Sequence, residues 1–274
     1  ASGGSAANTV HGMAALGMKT GFVGSIGRDE YGSFFRDDLV EKGIHPFLRD
    51  SDNPTGRAHA FVSEDSERTF GTYLGAAMEL APEHLKPSFF EGYDFLYIEG
   101  YLVQNHQLIE TAVQMAKKAG LKVALDLASY NVVEENLDFL KELLSNYVDL
   151  VFANEEEAKA ISGQDPENAL RLLSGLCEMA VVKIGKDGSL LLAEDDKILR
   201  VEPIVAKPVD TSGAGDLYAA GFLYGLSKGL DPYACGQIGS ILSGKVIEVM
   251  GPKLALENWT EVIALVKRIE TDEN

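Results

Sequence analysis

From Tyr93 to Ile184 the chain alternates short apolar segments with longer amphipathic ones, and this alternation restricts its fold more than any other feature. The apolar segments predict strands, and their sequences are DFLYIEG, LKVALDL, DLVFAN and AVVKIG. The segments between them predict helices over His106–Ala119, Glu134–Asn146, Glu155–Ile161 and Glu167–Leu176. Buried strands that alternate with helices are typical of a parallel sheet with helices on both faces. We therefore predict an α/β fold with a doubly wound, mostly parallel sheet.

Both flanks of this region carry further elements of the same kind. Apolar periodicity predicts helices over Ser5–Leu16 and Tyr31–Lys42, with a short strand beginning at Thr20 between them. After Gly188 the segments SLLLAED and KILRVEP predict two antiparallel strands, and residues 214–269 are predicted to be nearly all helical.

Residues 44–77 have a different pattern. The segments HPFLRD, RAHAFVSE and RTFGTYLG are short, partly alternating and separated by polar turns, which is typical of β-hairpins. We predict that this stretch forms a small β-rich lid, whereas residues 1–43 and 78–274 form the α/β core.

A glycine-rich turn, SGGSAANT, begins at residue 2. Such turns usually follow a strand. We therefore expect an N-terminal strand of the sheet in an upstream segment that the sequence shown lacks.

Composition narrows the possible ligands. The net charge of −18 argues against nucleic acid, which needs a basic surface, and favours a small-molecule partner. Two distant cysteines and five histidines without ligand spacing give no disulfide scaffold or metal motif, and we expect a cytoplasmic protein. No apolar run reaches the length of a membrane span, so no membrane partner is expected. The sequence leaves a monomer and a homodimer open.

The segment D-T-S-G-A-G-D, Asp210–Asp216, precedes the apolar sequence LYAAGFLYGL. Gly213, Ala214 and Gly215 allow a ligand to approach the backbone, and the first amides of the following helix attract an anion. Asp216 is placed to accept a proton from an attacking hydroxyl. The alternative is that Asp210 or Ser212 merely caps the helix.

This motif and GGSAANT, Gly3–Thr9, resemble the signatures of the ribokinase-like, or phosphofructokinase-B-type (pfkB), family of carbohydrate and nucleoside kinases. The resemblance extends from Gly3 to about Gly251. It implies that Asp216 is the catalytic base and that the amides of Gly213, Ala214 and Gly215 form an anion hole. It also implies ATP as phosphoryl donor, with Mg²⁺.

The resemblance suggests further site residues. Asn154 and Glu157, in FANEEEA, match the family's N-x-x-E arrangement, in which Glu157 with Asn154 helps to organise Mg²⁺ and phosphate; an ordinary capping box is the alternative. Residues expected to border the nucleotide are Lys183, Gly185, Gly188 and Thr211. For the glycines of KIGKDG, a plain hairpin turn is an equally good explanation.

On the acceptor side, the resemblance implies that Gly3, Gly4 and Asn8 contact sugar hydroxyls. For Asn8, a helix-cap residue is the alternative. Asp210 corresponds to the neighbourhood of a monovalent-cation site, which makes K⁺ a candidate ion, with Gly251 as a weaker neighbour. The lid would exclude water when it closes. Arg68 is its candidate phosphate contact, and an ordinary solvated charge is the alternative.

The segments P-T-G, Y-I-E-G-Y and D-L-A-S-Y look most like the adenosine-kinase branch. We therefore expect transfer of a phosphoryl group to the primary hydroxyl of a nucleoside such as adenosine. The alternatives are a ribokinase- or fructokinase-type sugar kinase and a catalytically silent sugar- or nucleotide-binding regulator. A nicotinamide-dependent dehydrogenase is disfavoured because the chain has no G-x-G-x-x-G between a strand and a helix.

Overall fold

The computed structural model describes residues 2–62, 68–193 and 196–272. In these residues the strands are β1 (Gly21–Gly27), β2 (His45–Ser51), β3 (Arg57–Val62), β4 (Arg68–Tyr73), β5 (Phe95–Glu99), β6 (Lys122–Asp126), β7 (Leu150–Asn154), β8 (Met179–Lys183), β9 (Ser189–Leu192) and β10 (Ile198–Val201). The α-helices are α1 (Ser5–Ala15), α2 (Glu30–Glu41), α3 (His106–Lys118), α4 (Tyr130–Glu135), α5 (Leu137–Asn146), α6 (Glu155–Ser162), α7 (Pro166–Ser174), α8 (Ala214–Ser227), α9 (Pro232–Val246) and α10 (Leu256–Asp272).

The main sheet has six strands in the order β10-β9-β8-β7-β6-β5. Strands β5 to β8 are parallel, and β9 and β10 extend the sheet in antiparallel fashion. Consecutive parallel strands are joined through helices, as the apolar alternation of the sequence requires. The prediction of an α/β fold with a mostly parallel sheet is confirmed.

Two hydrophobic cores lie on opposite faces of this sheet. One face packs against α3 to α7, with Val113, Leu140 and Leu170 fully buried. The other packs against α1, α8, α9 and α10, with Phe152 of β7 and Phe222 of α8 fully buried. Helices on both faces explain why the central strands are apolar on both sides.

Helix α8 is buried over most of its length. Every residue from Leu217 to Gly225 is buried, because the helix lies between the sheet and α9. A helix with this environment must be apolar all round. None of the described helices is long and apolar enough to cross a membrane.

The helix predicted over Glu134–Asn146 is wrong in detail. The structure has two helices there, α4 and α5, separated at Asn136, whose backbone φ is −126°. The Asn136 side-chain amide donates to the carbonyl of Val132 at 2.9 Å, and its own carbonyl accepts from the amide of Leu140. Asn136 thus ends one helix and begins the next, a competition with the backbone that apolar spacing does not reveal.

The hairpin prediction for residues 44–77 is correct for β3 and β4, which pair antiparallel, and wrong for β2. Strand β2 pairs in parallel with β1 over seven residues. Helix α2 forms the crossover connection that two parallel strands need. Residues 63–67, between β3 and β4, lie outside the described residues. The lid function of the segment stays a prediction.

The β1–β2 pair and the six-stranded sheet are not hydrogen-bonded to each other within the described residues. A cavity of about 160 Å³ lies between them, lined by apolar side chains that include Phe22 and Val23 of β1 and Phe95 and Leu96 of β5. The upstream strand expected from the sequence stays a prediction.

Candidate active site

The predicted site residues converge where the parallel strands end and α8 begins. Strand β8 ends at Lys183, whose ammonium lies 3.1 Å from the position that a Cβ on Gly215 would take. Asp216, in the first turn of α8, contacts the start of α1. The carboxyl edge of a parallel sheet is where ligands of α/β proteins bind.

Asp216 is held by two side chains of α1. Its Oδ1 accepts a hydrogen bond from Ser5 Oγ at 2.8 Å, and its Oδ2 accepts one from Asn8 Nδ2 at 2.8 Å. The structure therefore brings together the predicted base and the predicted acceptor contact Asn8, although 208 residues separate them in sequence. Asn8 itself lies within the first turns of α1 rather than in the preceding glycine turn.

The environment of Asp216 suits a group that takes up a proton. Burial raises the pKa of Asp216, whereas the hydrogen bonds from Asn8 and Ser5 lower it, and the net direction is upward from its usual value of 3.8. A raised pKa makes a carboxylate a better proton acceptor. Because the two donors fix the carboxylate, the geometry of that acceptor is set before a ligand arrives.

The residues predicted to form an anion hole, Gly213–Gly215, lie at the N-cap and in the first turn of α8. Its N-cap residue is Gly213, which has no side chain to cap that turn and adopts a left-handed conformation with φ of 75°. Pro252 packs so closely that a Cβ on Gly213 would lie 2.6 Å from the Cβ of Pro252. The alternative in which Asp210 or Ser212 is the N-cap of this helix is wrong, since both lie before the cap.

Asp210 is buried and connects two loops. Its Oδ1 accepts from the amide of Ser212 at 2.7 Å, and its Oδ2 accepts from the amide of Gly251 at 2.9 Å. Asp210 and Gly251, both predicted near a monovalent cation, are therefore neighbours. These contacts of Asp210 fix the loop between α9 and α10 against the segment that leads into α8.

Asn154 and Glu157 form a complete capping box at the start of α6. Glu157 accepts from the Asn154 amide at 2.8 Å and from Asn154 Nδ2 at 2.7 Å, and its own amide donates to Asn154 Oδ1 at 2.9 Å. Glu157 is only 2% exposed. Burial raises the pKa of Glu157 to about 7, which the Lys183 ammonium opposes and the Asp126 carboxylate reinforces.

Lys183 forms a buried ion pair with Asp126, and the sequence analysis did not identify Asp126 as a site residue. Its Nζ donates to Asp126 Oδ2 at 2.9 Å, and Asp126, the last residue of β6, is 6% exposed. Burial lowers the pKa of Lys183, but the charges of Asp126 and Glu157 raise it by more, so the net direction is upward. The ammonium therefore stays charged beside Gly215.

The remaining predicted residues have mixed placements. Gly188 adopts φ of 92°, and a Cβ there would lie 2.0 Å from the carbonyl oxygen of Val201, so packing alone explains this glycine. Gly185 begins a 3₁₀ turn and has space around it. Gly3 and Gly4 are exposed before α1, and Thr211 is exposed before α8. The Arg68 side chain lies outside the described residues.

Sequence reasoning also missed Glu99 and Ser5. Glu99 ends β5 and accepts from the amide of Ala6 at 2.8 Å. Burial raises the pKa of Glu99, which the charges of Asp216 and Asp126 reinforce. The sequence contained a signal for the acidic residues, because Y-I-E-G-Y and D-L-A-S-Y each place a carboxylate, Glu99 or Asp126, at the end of a predicted strand. Neighbouring parallel strands end at the same edge of a sheet, so these two carboxylates could have been expected to lie close together.

The described residues contain no group of three or more His, Cys, Asp or Glu side chains that could hold a metal ion by themselves. A magnesium ion bound with a nucleotide needs only one or two protein carboxylates, because phosphate oxygens and water complete its shell. The buried, incompletely neutralised carboxylate of Glu157 fits that limited role.

A model of the pfkB family of carbohydrate kinases matches residues 1–259. The chain belongs to this family. It is 27% identical to an uncharacterized sugar kinase of Archaeoglobus fulgidus over 255 residues, covering 89% of this chain and 98% of that protein. It is also 27% identical to a 5-dehydro-2-deoxygluconokinase of Bacillus licheniformis, covering 96% of this chain and 86% of that protein.

Among solved structures, an adenosine kinase from Sinorhizobium meliloti is similar with a TM-score of 0.89 and 36% identity. The similarity covers 95% of this chain and 82% of the S. meliloti chain. The resemblance drawn from Asp210–Asp216 and Gly3–Thr9 is thus confirmed at the level of the family. As a pfkB kinase, the chain is a phosphotransferase.

Proposed function

We propose that this pfkB kinase transfers the γ-phosphoryl group of ATP directly to the primary hydroxyl of a sugar or nucleoside. The observation that carries the proposal is the position of Asp216. Its carboxylate lies in the first turn of α8, beside the uncapped amides, and Ser5 and Asn8 orient it. A proton acceptor next to an anion-binding turn is what in-line transfer to a hydroxyl requires.

The acceptor is held from the α1 side. Asn8 is 6% exposed, and within the described residues its Oδ1 has no hydrogen-bond partner. An unmatched buried acceptor is costly, and a substrate hydroxyl would satisfy it. Because Asn8 Nδ2 already binds Asp216, the same side chain would place that hydroxyl group beside the base, with Gly3 and Gly4 leaving room for the sugar.

The phosphoryl group is stabilised from the α8 side. The amides of Gly213, Ala214 and Gly215 present the positive end of the helix to developing negative charge. Lys183 adds an ammonium beside Gly215, and Asp126 fixes its position. The hydroxyl attacks phosphorus as its proton passes to Asp216, the bond to the ADP oxygen breaks, and no phosphoenzyme forms.

Glu157, with Asn154, would hold Mg²⁺ indirectly through water or phosphate. The ion supplies charge neutralisation of the phosphates when bound. The chain's own contribution is a rigid carboxylate, since the capping box fixes both oxygens of Glu157. Thr211 and Gly185 would border the nucleotide, and Asp210 with Gly251 would lie near K⁺ if the enzyme uses it.

We propose an adenosine-like nucleoside as the favoured acceptor, which the 36% identity to the S. meliloti adenosine kinase supports. The second candidate is a free sugar or sugar acid, which the similarity to a 5-dehydro-2-deoxygluconokinase supports. Electrostatics favours a neutral acceptor, because the carboxylates of Glu99 and Asp216 lie close enough to influence each other and would repel a third carboxylate between them.

The test is the rate of ADP release from Mg·ATP with adenosine, ribose, fructose and 5-dehydro-2-deoxygluconate in parallel. We expect turnover on adenosine, and a rate at least tenfold lower on the sugar acid because of the carboxylates of Glu99 and Asp216. Turnover on a free sugar alone would retain the kinase mechanism and exclude the nucleoside. ADP release that needs no acceptor would contradict phosphotransfer.

A further inference from the structure

A partly buried polar cluster lies beside the acceptor side of the site and takes no part in the chemistry proposed above. It consists of Ser2, His11, Asp38 and Lys253, which we call the Lys253 cluster. His11 lies on α1 and Asp38 on α2, whereas Ser2 precedes the glycine turn and Lys253 lies between α9 and α10. Three parts of the chain, residues 2–11, α2 and the loop between α9 and α10, thus meet in this cluster.

The contacts centre on Lys253 and Asp38. Lys253 Nζ lies 3.2 Å from Asp38 Oδ2 and 3.1 Å from His11 Nε2, and it donates to Ser2 Oγ. Ser2 Oγ donates to Asp38, and His11 Nε2 lies 2.9 Å from the same carboxylate. The side chains of His11, Asp38 and Lys253 are 9%, 20% and 21% exposed.

The charges of the cluster depend on one another. Burial alone would raise the pKa of Asp38, but the hydrogen bond from Ser2 and the charge of Lys253 lower it to about 2. Burial lowers the pKa of Lys253, which Asp38 opposes, and Lys42 also lowers it. Removing the ammonium would leave a largely buried carboxylate without its main counter-charge, which is strongly unfavourable.

The position of the cluster connects it to the site on two sides. Ser2 immediately precedes Gly3 and Gly4, the turn that leads into Asn8. Lys253 immediately follows Pro252, which packs on Gly213 of the anion hole. One side chain therefore joins the turn on the acceptor side to the loop on the phosphate side.

The geometry points to Lys253 as a positioning residue for the phosphoryl acceptor, holding the Gly3–Gly4 turn against the loop that packs on Gly213. Its kinetic consequence rests on the proposed function, whereas its structural consequence does not. Loosening this link lets the turn move away from Asn8 and Asp216. The acceptor should then bind more weakly, while ATP, held from the strand ends and α8, should be affected far less.

The test compares Lys253→Met, which keeps the length of the side chain and removes its charge, with Lys253→Arg, which keeps the charge. The matched control is Lys117→Met. Lys117 also forms a partly buried ion pair, with Asp149. Asp149 immediately precedes β7, so this pair lies at the opposite edge of the sheet. Melting temperatures are measured for all three variants, and the two Met variants show the general cost of losing a partly buried ion pair.

Hydrogen exchange tests the link without any assay of activity. We expect the amides of residues 3–8 to exchange about tenfold faster in Lys253→Met than in wild type or Lys117→Met, and Lys253→Arg to restore most of the protection. Unchanged exchange in residues 3–8 would overturn the inference, whether or not the protein is a kinase.

Kinetics tests the consequence. With an acceptor that the wild-type enzyme phosphorylates, Lys253→Met should raise the acceptor KM about tenfold, the loss of roughly one charged hydrogen bond, and change the ATP KM less than twofold. Equal increases in both KM values, or none beyond those of Lys117→Met, would show a purely structural tie and overturn the inference. Wild-type protein that turns over no acceptor would contradict the proposed function instead.

Discussion

Helices α6 and α8 both begin at the carboxyl edge of the sheet, but their first turns are satisfied in different ways. At α6, Asn154 and Glu157 exchange three hydrogen bonds and leave the turn closed by its own side chains. At α8, the N-cap position is occupied by Gly213, and the nearest carboxylate, Asp216, is turned toward Ser5 and Asn8 on α1.

This difference shows two ways in which a helix start is stabilised, by its own side chains at α6 and by packing at α8. A capped turn has little capacity left for a ligand, so α6 contributes a fixed carboxylate rather than an anion site. A turn without a side-chain cap leaves amides that a ligand can reach, although the amide of Ala214 donates to the carbonyl of Thr211 at 3.3 Å. The protein stabilises this turn by packing, here by Pro252 against Gly213. The two helix starts should therefore respond differently to substitution.

The largest effect is expected at α8 for Asp216→Asn. The amide keeps the size of the side chain but cannot take the proton, so kcat should fall about a thousandfold. ATP binding and the melting temperature should change little. The measurement is steady-state ADP release together with ATP titration, and Asp138→Asn, an exposed substitution on α5, is the control. A kcat within tenfold of wild type would remove Asp216 from the role of base.

Gly213→Ala should have the next largest effect. The residue has φ of 75°, and the added Cβ would meet Pro252 at 2.6 Å, so both backbone strain and a clash act on the first turn of α8. We expect a loss of about 2 kcal/mol in the free energy of unfolding and a decrease in kcat of at least tenfold.

Gly229→Ala separates these two causes. Gly229 follows α8 with a similar φ of 73°, but a Cβ there meets nothing within 4 Å. Urea unfolding should show a smaller loss of about 1 kcal/mol for Gly229→Ala, with kcat unchanged. Equal losses in the two variants would mean that Pro252 does not constrain the first turn of α8.

Much of the comparison between α6 and α8 was predictable from sequence, because both helix starts carry local motifs. The apolar alternation gave the parallel sheet, and D-T-S-G-A-G-D marked the start of α8. Local patterns do not show which distant residues meet, so the contact of Ser5 with Asp216 and the pair of Lys183 with Asp126 were missed. The parallel pairing of β2 was missed for the same reason, since register depends on the whole sheet.

Asn154→Ala should have a moderate effect at the α6 start. Loss of the N-cap acceptor should lower the free energy of unfolding by about 1 kcal/mol. The matched control is Asp165→Ala, which removes the N-cap of α7, whose side chain accepts from the amides of Glu167 and Asn168. Both variants should lose similar stability in urea unfolding. Only Asn154→Ala should raise the KM for Mg·ATP, and the same KM in both would show that the box is structural alone.

Measured as a change in activity, the smallest effect is expected from Glu157, which contributes a pH dependence to the stability of the fold. Its pKa is about 7 in the folded protein because of burial, against an ordinary value of 4.5, so the folded state binds its proton more tightly than the unfolded state does. Its contribution to stability is therefore full below pH 4.5 and is lost as pH rises to about 7, with a slope of at most about 1.4 kcal/mol per pH unit. Urea unfolding between pH 5 and 8 should show this decrease in wild type and in Glu167→Gln, an exposed change on α7, but not in Glu157→Gln. If all three proteins have the same pH profile, Lys183 neutralises the Glu157 carboxylate more fully than its contacts at the start of α6 imply. The start of α6 would then have no uncompensated charge for a metal ion to balance.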